Sequence, residues 1–162
     1  MPLKNFDGRR VLSLENRRSS ELARLIEIYR GVPFSAPAMR EVPVEELGYT
    51  LPSLLLPLYD SELGAGIIAT LRSILAGSEV NLFRTFLQDV IAVEVGSRVD
   101  NPPGSGVIRI QFVASQLVGV IMARYILELE PFTSLPVEQI VDTIAPTLQR
   151  YLTGDLPDLP AP

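Results

Sequence analysis

The most apolar stretch of the chain, FVASQLVGVIMARYILELEPF, runs from Phe112 to Phe132 and constrains the fold more than any other feature. Arg109 and Arg124 flank its centre, with 14 residues between them. A membrane-spanning helix needs about 20 consecutive apolar residues, and charges within a span are rare. The stretch therefore predicts a helix of a soluble protein, from about Val107 to Leu129, that is buried on most of its sides.

Small residues recur along one side of this predicted helix. Ser115, Gly119 and Ala123 lie four residues apart, so they share one face and allow another backbone to approach closely. This pattern has two interpretations. The helix lies at the centre of one subunit's core, or it is shared between its own core and a partner subunit, and the spacing fits both.

The composition limits the chemistry that the chain offers. A length of 162 residues predicts one domain with at most a small appendage, and 47% apolar residues are enough for a core. The net charge of −5 argues against direct DNA binding, which usually requires a basic face. Because the chain has no cysteine and no histidine, we expect no metal, no other cofactor and no enzymatic activity. The N-terminal MPLKNFDGRR lacks the apolar segment of a signal peptide, which favours a cytoplasmic protein.

The first 45 residues differ in pattern from the rest. A β-type run at Arg10–Leu14, an amphipathic helix after it and a proline-limited run at Val32–Pro37 predict a small βαβ-like segment over residues 1–45. Five prolines between Pro33 and Pro57 predict a linker over 46–58 that contains no long regular element.

Helical periodicity dominates from residue 59 to residue 154, which we predict to be one mainly α-helical domain. A turn at Asp100–Gly106 separates two of its helices, and residues 155–162 are predicted to be a disordered tail. The four expected helices fall within 61–77, within 79–96, from about Val107 to Leu129, and from about Pro136 to Leu152. Pro146 should bend the last of them.

The segment VASQLVGVIMARYILELEPFTSLPVEQIVDTIAPTLQRYLTG, Val113–Gly154, resembles the C-terminal domain of TetR-type transcriptional repressors, and the likeness extends from about Leu51. The QLVG run, the ARY triplet, the EP helix stop and the APTLQRYLTG ending carry it. The resemblance implies a helical bundle whose last two helices pair with those of a second subunit in a homodimer. It also implies an effector cavity in each subunit, so a small apolar effector is the expected ligand.

Two sets of site residues are predicted for this domain. Steps of three and four place one half of the dimer contact on the helix at 107–129, and the last helix completes it. The predicted contact residues are Ser115, Gly119, Met122, Ile126, Ile140, Ile144, Leu148 and Tyr151. Aromatic side chains on facing helices line ligand sites in some bundles, with core packing as the alternative. The predicted ligand-binding residues are Phe83, Phe86, Phe112 and Gln116.

The N-terminal part carries a second resemblance. TetR-type repressors begin with a helix-turn-helix DNA-binding unit, and residues 1–45 show no such pattern. Gly8–Pro43 instead resembles the opening strand, arginine-bearing loop, helix and second strand of uroporphyrinogen-III synthase. The expected function is therefore dimerisation and ligand binding by a TetR-type regulator domain that lacks its DNA-binding head. The alternatives are a fragment related to tetrapyrrole biosynthesis, or a recombined gene remnant with no activity of its own.

Overall fold

A computed structural model describes residues 36–77 and 95–157 of the chain. These parts of the chain contain no strand and are mainly helical, as predicted. Their helices are α1 (Ala36–Glu41), α2 (Leu47–Asp60), α3 (Gly64–Ala76), α4 (Gly106–Ile121) and α5 (Val137–Thr153). Shorter turns join them: a 3₁₀ turn at Val44–Glu46, a π-helical turn at Met122–Ile126 that prolongs α4, and a 3₁₀ turn at Phe132–Ser134.

Three of the four predicted helices fall in the described residues and are confirmed as α3, α4 and α5. The observed α4 begins one residue before the predicted start, but its regular winding ends at Ile121, before the π-helical turn. α5 continues through Pro146, which is exposed. The predicted helix at 79–96 lies outside the described residues except for its last two positions.

The core forms where α5 packs most extensively on α2 and also on α4. Its fully buried side chains come from every long helix: Leu47, Leu51, Leu56, Ile67, Ile110, Leu148 and Leu152. Full burial of one such aliphatic side chain contributes about 1.5–3 kcal/mol. The contacts of α5 with α2 and α4 therefore contribute substantially to the domain's stability.

The prediction of an irregular linker over 46–58 is wrong, because α2 occupies most of that segment and holds Pro52 and Pro57 inside it. Each internal proline removes one backbone hydrogen bond and costs about 3 kcal/mol. Against this cost, α2 buries five large side chains at about 1.5–3 kcal/mol each. They are Leu47, Leu51, Leu55, Leu56 and Tyr59, at helical spacing. Tertiary burial thus outweighs the local preference of the prolines.

A glycine permits the close contact between α2 and α5. A Cβ atom on Gly48 would lie 2.6 Å from the backbone nitrogen of Gln149, a distance that real Cβ atoms do not adopt. The Gln149 side chain accepts a hydrogen bond from the Gly48 N–H at 2.8 Å and donates one to the Val44 carbonyl at 3.1 Å. Since the first N–H groups of a helix have no partner within it, this side chain of α5 caps the start of α2.

The described end of the N-terminal segment belongs to the same body. Met39 of α1 is buried in the core, and the guanidinium of Arg98 donates hydrogen bonds to the carbonyls of Met39 and Val42. Cationic side chains commonly bind the carbonyls that a helix leaves unpaired at its C-terminus. The predicted strand at Val32–Pro37 is incorrect at its end, because Ala36 already starts α1; the rest of the βαβ-like segment lies outside the described residues.

One helix in the described parts of the chain is long and apolar enough to cross a membrane by length and composition. It comprises α4 with its π-helical turn, Gly106–Ile126, with a mean hydropathy of 1.6 over its most apolar window. The helical domain buries 39% of that window. A core helix of a soluble protein has the same features.

Candidate functional site: the α4–α5 hairpin

α4 and α5 form an antiparallel hairpin that an arginine holds at each end. Arg109, near the start of α4, reaches Tyr151 and Gly154 at the end of α5. Arg124, just beyond the end of α4, reaches the turn that leads into α5. Both arginines sit in an otherwise apolar sequence, and buried arginines are rare unless they are fully paired.

Arg109 has a partner for each of its guanidinium nitrogens. Its Nη1 donates to the carbonyls of Tyr151 and Gly154, both at 2.9 Å, and its Nη2 donates to the Asn101 carbonyl at 2.7 Å. Its Nε donates to the Ser105 hydroxyl at 3.1 Å. The side chain is only 2% exposed. The carbonyls at the end of α5 carry the negative pole of that helix, which stabilises the buried charge.

Arg124 serves the opposite end with a less complete set of partners. Its Nη1 donates to the carbonyls of Phe132, Thr133 and Leu135 at 2.8–3.1 Å. Its Nη2 forms a 3.5 Å ion pair with Asp60, at the end of α2. Its Nε is buried and finds no hydrogen-bond partner within the described parts of the chain. A buried donor left without a partner carries a desolvation cost.

Tyr125 anchors the π-helical turn in the core beside Arg124. Its ring stacks on Tyr59 of α2 with centroids 5.0 Å apart, and its hydroxyl donates to the Leu56 carbonyl at 3.3 Å. Burial, and then the nearby charge of Asp60, raise the pKa of the Tyr125 hydroxyl to about 12, although Arg124 acts in the opposite direction. The phenol therefore stays protonated at neutral pH and acts as a hydrogen-bond donor.

The outward row of α4 carries no charge and is exposed in the described parts of the chain. Val107, Gln111, Ser115 and Gly119 are exposed and lie four residues apart. A Cβ atom added at Gly119 would meet no atom within 4 Å. The opposite side of α4 carries the core residues, so α4 is a core helix on one side and an open surface on the other. We call the row from Val107 to Gly119, with the half-buried Val118 and Met122 beside it, the α4 face.

The predicted dimer-contact residues divide between this face and the core. Ser115 and Gly119 are exposed, and Met122, Ile126 and Tyr151 are half-buried. Ile140, Ile144 and Leu148 are buried within the subunit, on the helix that packs on α2. The contact of these eight residues with a mate stays a prediction.

Two of the four predicted ligand-binding residues are described. Phe112 and Gln116 lie four residues apart on α4 and are half-buried. The Phe112 ring stacks on Tyr151 of α5, with centroids 5.4 Å apart. Phe83 and Phe86 lie outside the described residues, so the effector cavity stays a prediction. Among the residues that the structure describes, no group of three His, Cys, Asp or Glu side chains is placed to hold a metal ion.

The role of Arg109 and Arg124 in the hairpin was not predicted from the sequence, where the two arginines bound an apolar run. The available signal was their position: a cation inside an apolar helix must find several acceptors, and the ends of a neighbouring helix supply them.

Comparison with known families identifies the class of this helical domain. The family described as "Tetracyclin repressor-like, C-terminal domain" matches residues 45–152, about two thirds of the chain. The chain therefore belongs to the TetR family of transcription regulators, whose C-terminal domains typically form dimers and bind effectors. The TetR resemblance is confirmed, and the match includes α2, which the predicted linker had excluded.

The other comparisons add no relative. No curated protein and no solved structure matches the chain. The resemblance of Gly8–Pro43 to uroporphyrinogen-III synthase finds no support in any of the comparisons.

Proposed function

We propose that this chain acts as the dimerisation and effector-binding part of a TetR-type regulator, in the cytoplasm, without binding DNA itself. The observation that carries the proposal is the open α4 face. An exposed, uncharged helix face with apolar side chains such as Val107, Val118 and Met122 gains stability when a second surface covers it, since burial removes apolar area from water. In a two-fold contact the same face is used twice, so small residues let two α4 helices approach closely.

Gly119→Leu tests the contact, with Gly66→Leu as its matched control. Gly66 lies on α3, is also exposed, and its Cβ position is also open within 4 Å. In an isolated subunit both changes should raise stability by up to about 1 kcal/mol, because leucine favours a helix over glycine. At a close two-fold contact, Gly119→Leu instead overpacks the interface at about 1–3 kcal/mol per site.

The mass measured by light scattering separates these outcomes. We expect a dimer for the original chain and for Gly66→Leu, and a mass approaching the monomer for Gly119→Leu. A dimer of unchanged stability for Gly119→Leu would contradict a contact at this face.

Effector binding is proposed for the side of α4 that carries Phe112 and Gln116. The fluorescence of 8-anilinonaphthalene-1-sulfonate, an apolar anion, provides a probe. We expect Phe112→Ser to weaken its binding and Val107→Ser, on the open α4 face, to leave the binding unchanged in the isolated subunit. If the two changes weakened dye binding equally, the dye would be binding to the surface, and an effector site beside Phe112 would be contradicted.

The absence of DNA binding is proposed from the net charge of −5. Proteins that bind DNA neutralise its phosphates with clustered lysines and arginines. We expect no sequence-dependent band shift at physiological salt. A shift that is strongest for one defined sequence would overturn this part of the proposal.

A further inference from the structure

The π-helical turn after α4 is the least regular part of the hairpin. The Leu127 N–H donates to the carbonyl of Met122, five residues back, at 2.8 Å, and the Leu129 N–H donates to that of Ala123, six residues back, at 3.0 Å. Between them Glu128 has a φ of 53°, in the left-handed region that non-glycine residues seldom adopt. Such a conformation persists only where surrounding contacts enforce it.

Arg72 supplies one of these contacts from α3. Its Nη2 donates to the Tyr125 carbonyl at 3.2 Å and to the Glu128 carboxylate at 3.0 Å. The two side chains of the ion pair are 50% and 69% exposed. Exposed pairs of this kind are weak and are screened by salt. Arg72 is thus one contact on the left-handed residue, and it is a weak one that connects the turn to α3.

Arg124 links the same turn to α5. It lies inside the π-helical segment, and it holds the carbonyls of Phe132, Thr133 and Leu135, directly before α5. The turn therefore has α3 on one side, through Arg72, and the start of α5 on the other, through Arg124. The Arg124 Nε is buried without a partner among the described residues, so this guanidinium is less completely paired than that of Arg109.

We propose that the π-helical turn Met122–Ile126 is a two-state winding switch that couples α3 to the start of α5. In the held state Arg72 keeps Glu128 left-handed and the turn π-wound. When the hydrogen bonds from Arg72 to Tyr125 and Glu128 break, the turn rewinds to an α-helix. The Leu127 N–H then changes its acceptor from the Met122 carbonyl to the Ala123 carbonyl. One residue fewer per turn rotates the following segment by roughly 100°. Arg124 then releases the carbonyls that precede α5.

The switch also alters the α4 face, because Met122 belongs to the turn. That consequence for subunit contact rests on the proposed function. The winding change itself does not, since it is read from local hydrogen bonds at any oligomeric state, and so the two proposals fail separately.

NMR on the full chain tests the switch with Arg72→Gln, and Arg150→Gln serves as the matched control because Arg150 is an exposed arginine of α5. Couplings across hydrogen bonds identify the acceptor of the Leu127 N–H, and relaxation dispersion detects exchange on the microsecond to millisecond scale. In Arg72→Gln we expect the ratio of π-wound to α-wound molecules to fall by up to roughly fivefold, the range that an exposed ion pair allows, and the Leu127–Met122 coupling to weaken accordingly. A Leu127–Ala123 coupling should appear.

Transmission to α5 is read at Gln139 and Ile140, whose N–H groups both donate to the Pro136 carbonyl. In Arg72→Gln, relaxation dispersion should give these two N–H groups the same conformational exchange rate as those of Leu127 and Leu129. In Arg150→Gln, their relaxation should be the same as in the original chain. Salt at about 1 M should reproduce the effect in the unaltered chain, since the screening length falls to about 3 Å.

Four results would overturn the switch. The first is that the couplings are unchanged both in Arg72→Gln and in high salt, and the second is that Arg150→Gln responds as strongly as Arg72→Gln. The third is that the Leu127–Met122 coupling is lost without a new coupling to Ala123. The fourth is that conformational exchange is seen in the turn but not at Gln139. The salt arm needs no substitution, so the test remains decisive if Arg72→Gln folds poorly.

Discussion

The two ends of the α4–α5 hairpin each contain an arginine with little exposure to solvent, and the two arginines differ in how completely they are hydrogen-bonded. At one end Arg109 is buried and each of its nitrogens has a partner, while at the other end Arg124 shares its charge with Asp60 and keeps one buried nitrogen without a partner in the described residues. The helix is regular at the Arg109 end and π-wound at the Arg124 end. A fully satisfied buried network rigidifies a structure, whereas a partly satisfied one leaves alternatives close in free energy. The Arg109 end should therefore be the fixed end of the hairpin.

Replacement of Arg109 should have the largest effect on stability. Arg109→Met removes four hydrogen bonds and leaves the carbonyls of Asn101, Tyr151 and Gly154 to find other donors. We expect a loss of about 3–4 kcal/mol in the free energy of unfolding, measured in urea at fixed protein concentration. Arg109→Lys should recover part of it, because an ammonium keeps the charge but cannot reach every acceptor.

Arg150→Gln again provides a control for Arg109→Met, with an expected change within about 0.5 kcal/mol. If Arg109→Met were no more destabilising than this control, the fixed character of that end would be disproved.

Gly106→Ala should destabilise the same end through backbone contact. A Cβ atom at Gly106 would lie 2.2 Å from the Gly96 carbonyl oxygen, so the backbone must move. We expect a cost of about 2–3 kcal/mol in urea unfolding. Gly66→Ala, at an open helical position, should instead stabilise the domain by up to about 1 kcal/mol. Similar effects of the two changes would mean that the ends of the hairpin are not packed as described.

Arg124→Met should cost less than Arg109→Met, about 2 kcal/mol, because it also removes the buried Nε that has no partner among the described residues. Asp60 would lose its ion pair, but it is 41% exposed and remains solvated. Urea unfolding of both variants under the same conditions compares them directly. The contrast between the two ends fails if Arg124→Met is the more destabilising change.

The smallest expected effect is a loss of folding stability at low pH. At the Arg109 end the N–H of Gly106 donates to the Asp100 carboxylate at 2.7 Å, and hydrogen bonds from Gly106 and then Gly104 lower the Asp100 pKa below its usual 3.8. At the Arg124 end the nearby hydroxyls of Thr133 and then Ser134 lower the Glu130 pKa below its usual 4.5, and the Ser134 hydroxyl donates to the Glu130 carboxylate at 2.8 Å. A depressed folded-state pKa adds stability that is fully present above the unfolded value and is lost as pH falls through the folded one.

Both contributions should therefore disappear only in acid, below about pH 4. NMR titration of the two carboxyl groups measures the shifts, and Asp100→Asn should remove one part of the acid dependence of unfolding. Carboxyl pKa values at or above the usual ones would show that these hydrogen bonds do not persist in solution.

Much of the helical framework was predictable, and the reason lies in its periodicity. α3 and α5 each repeat apolar residues at three- and four-residue steps, a pattern that a short window reveals. α2 carries Leu47, Leu51 and Leu55 at the same spacing, yet Pro52 and Pro57 hid it, because proline rules describe local cost and not tertiary gain. The packing of α2 on α5 was therefore not foreseen, nor was the burial of Ile140 and Leu148 within the subunit.

The sequence by itself determined the helical class, the TetR-like identity from about Leu51 onward, and an uncharged strip of small residues along α4 and its π-helical turn. These depend on neighbours within a turn or two of helix. Only the tertiary structure decided which apolar stripe faces which helix, that Gly119 lies on an open surface, and that two arginines join the ends of α4 to those of α5. Those outcomes depend on residues as far apart as Gly48 and Gln149, and their contact is set by the free energy of the whole packed core.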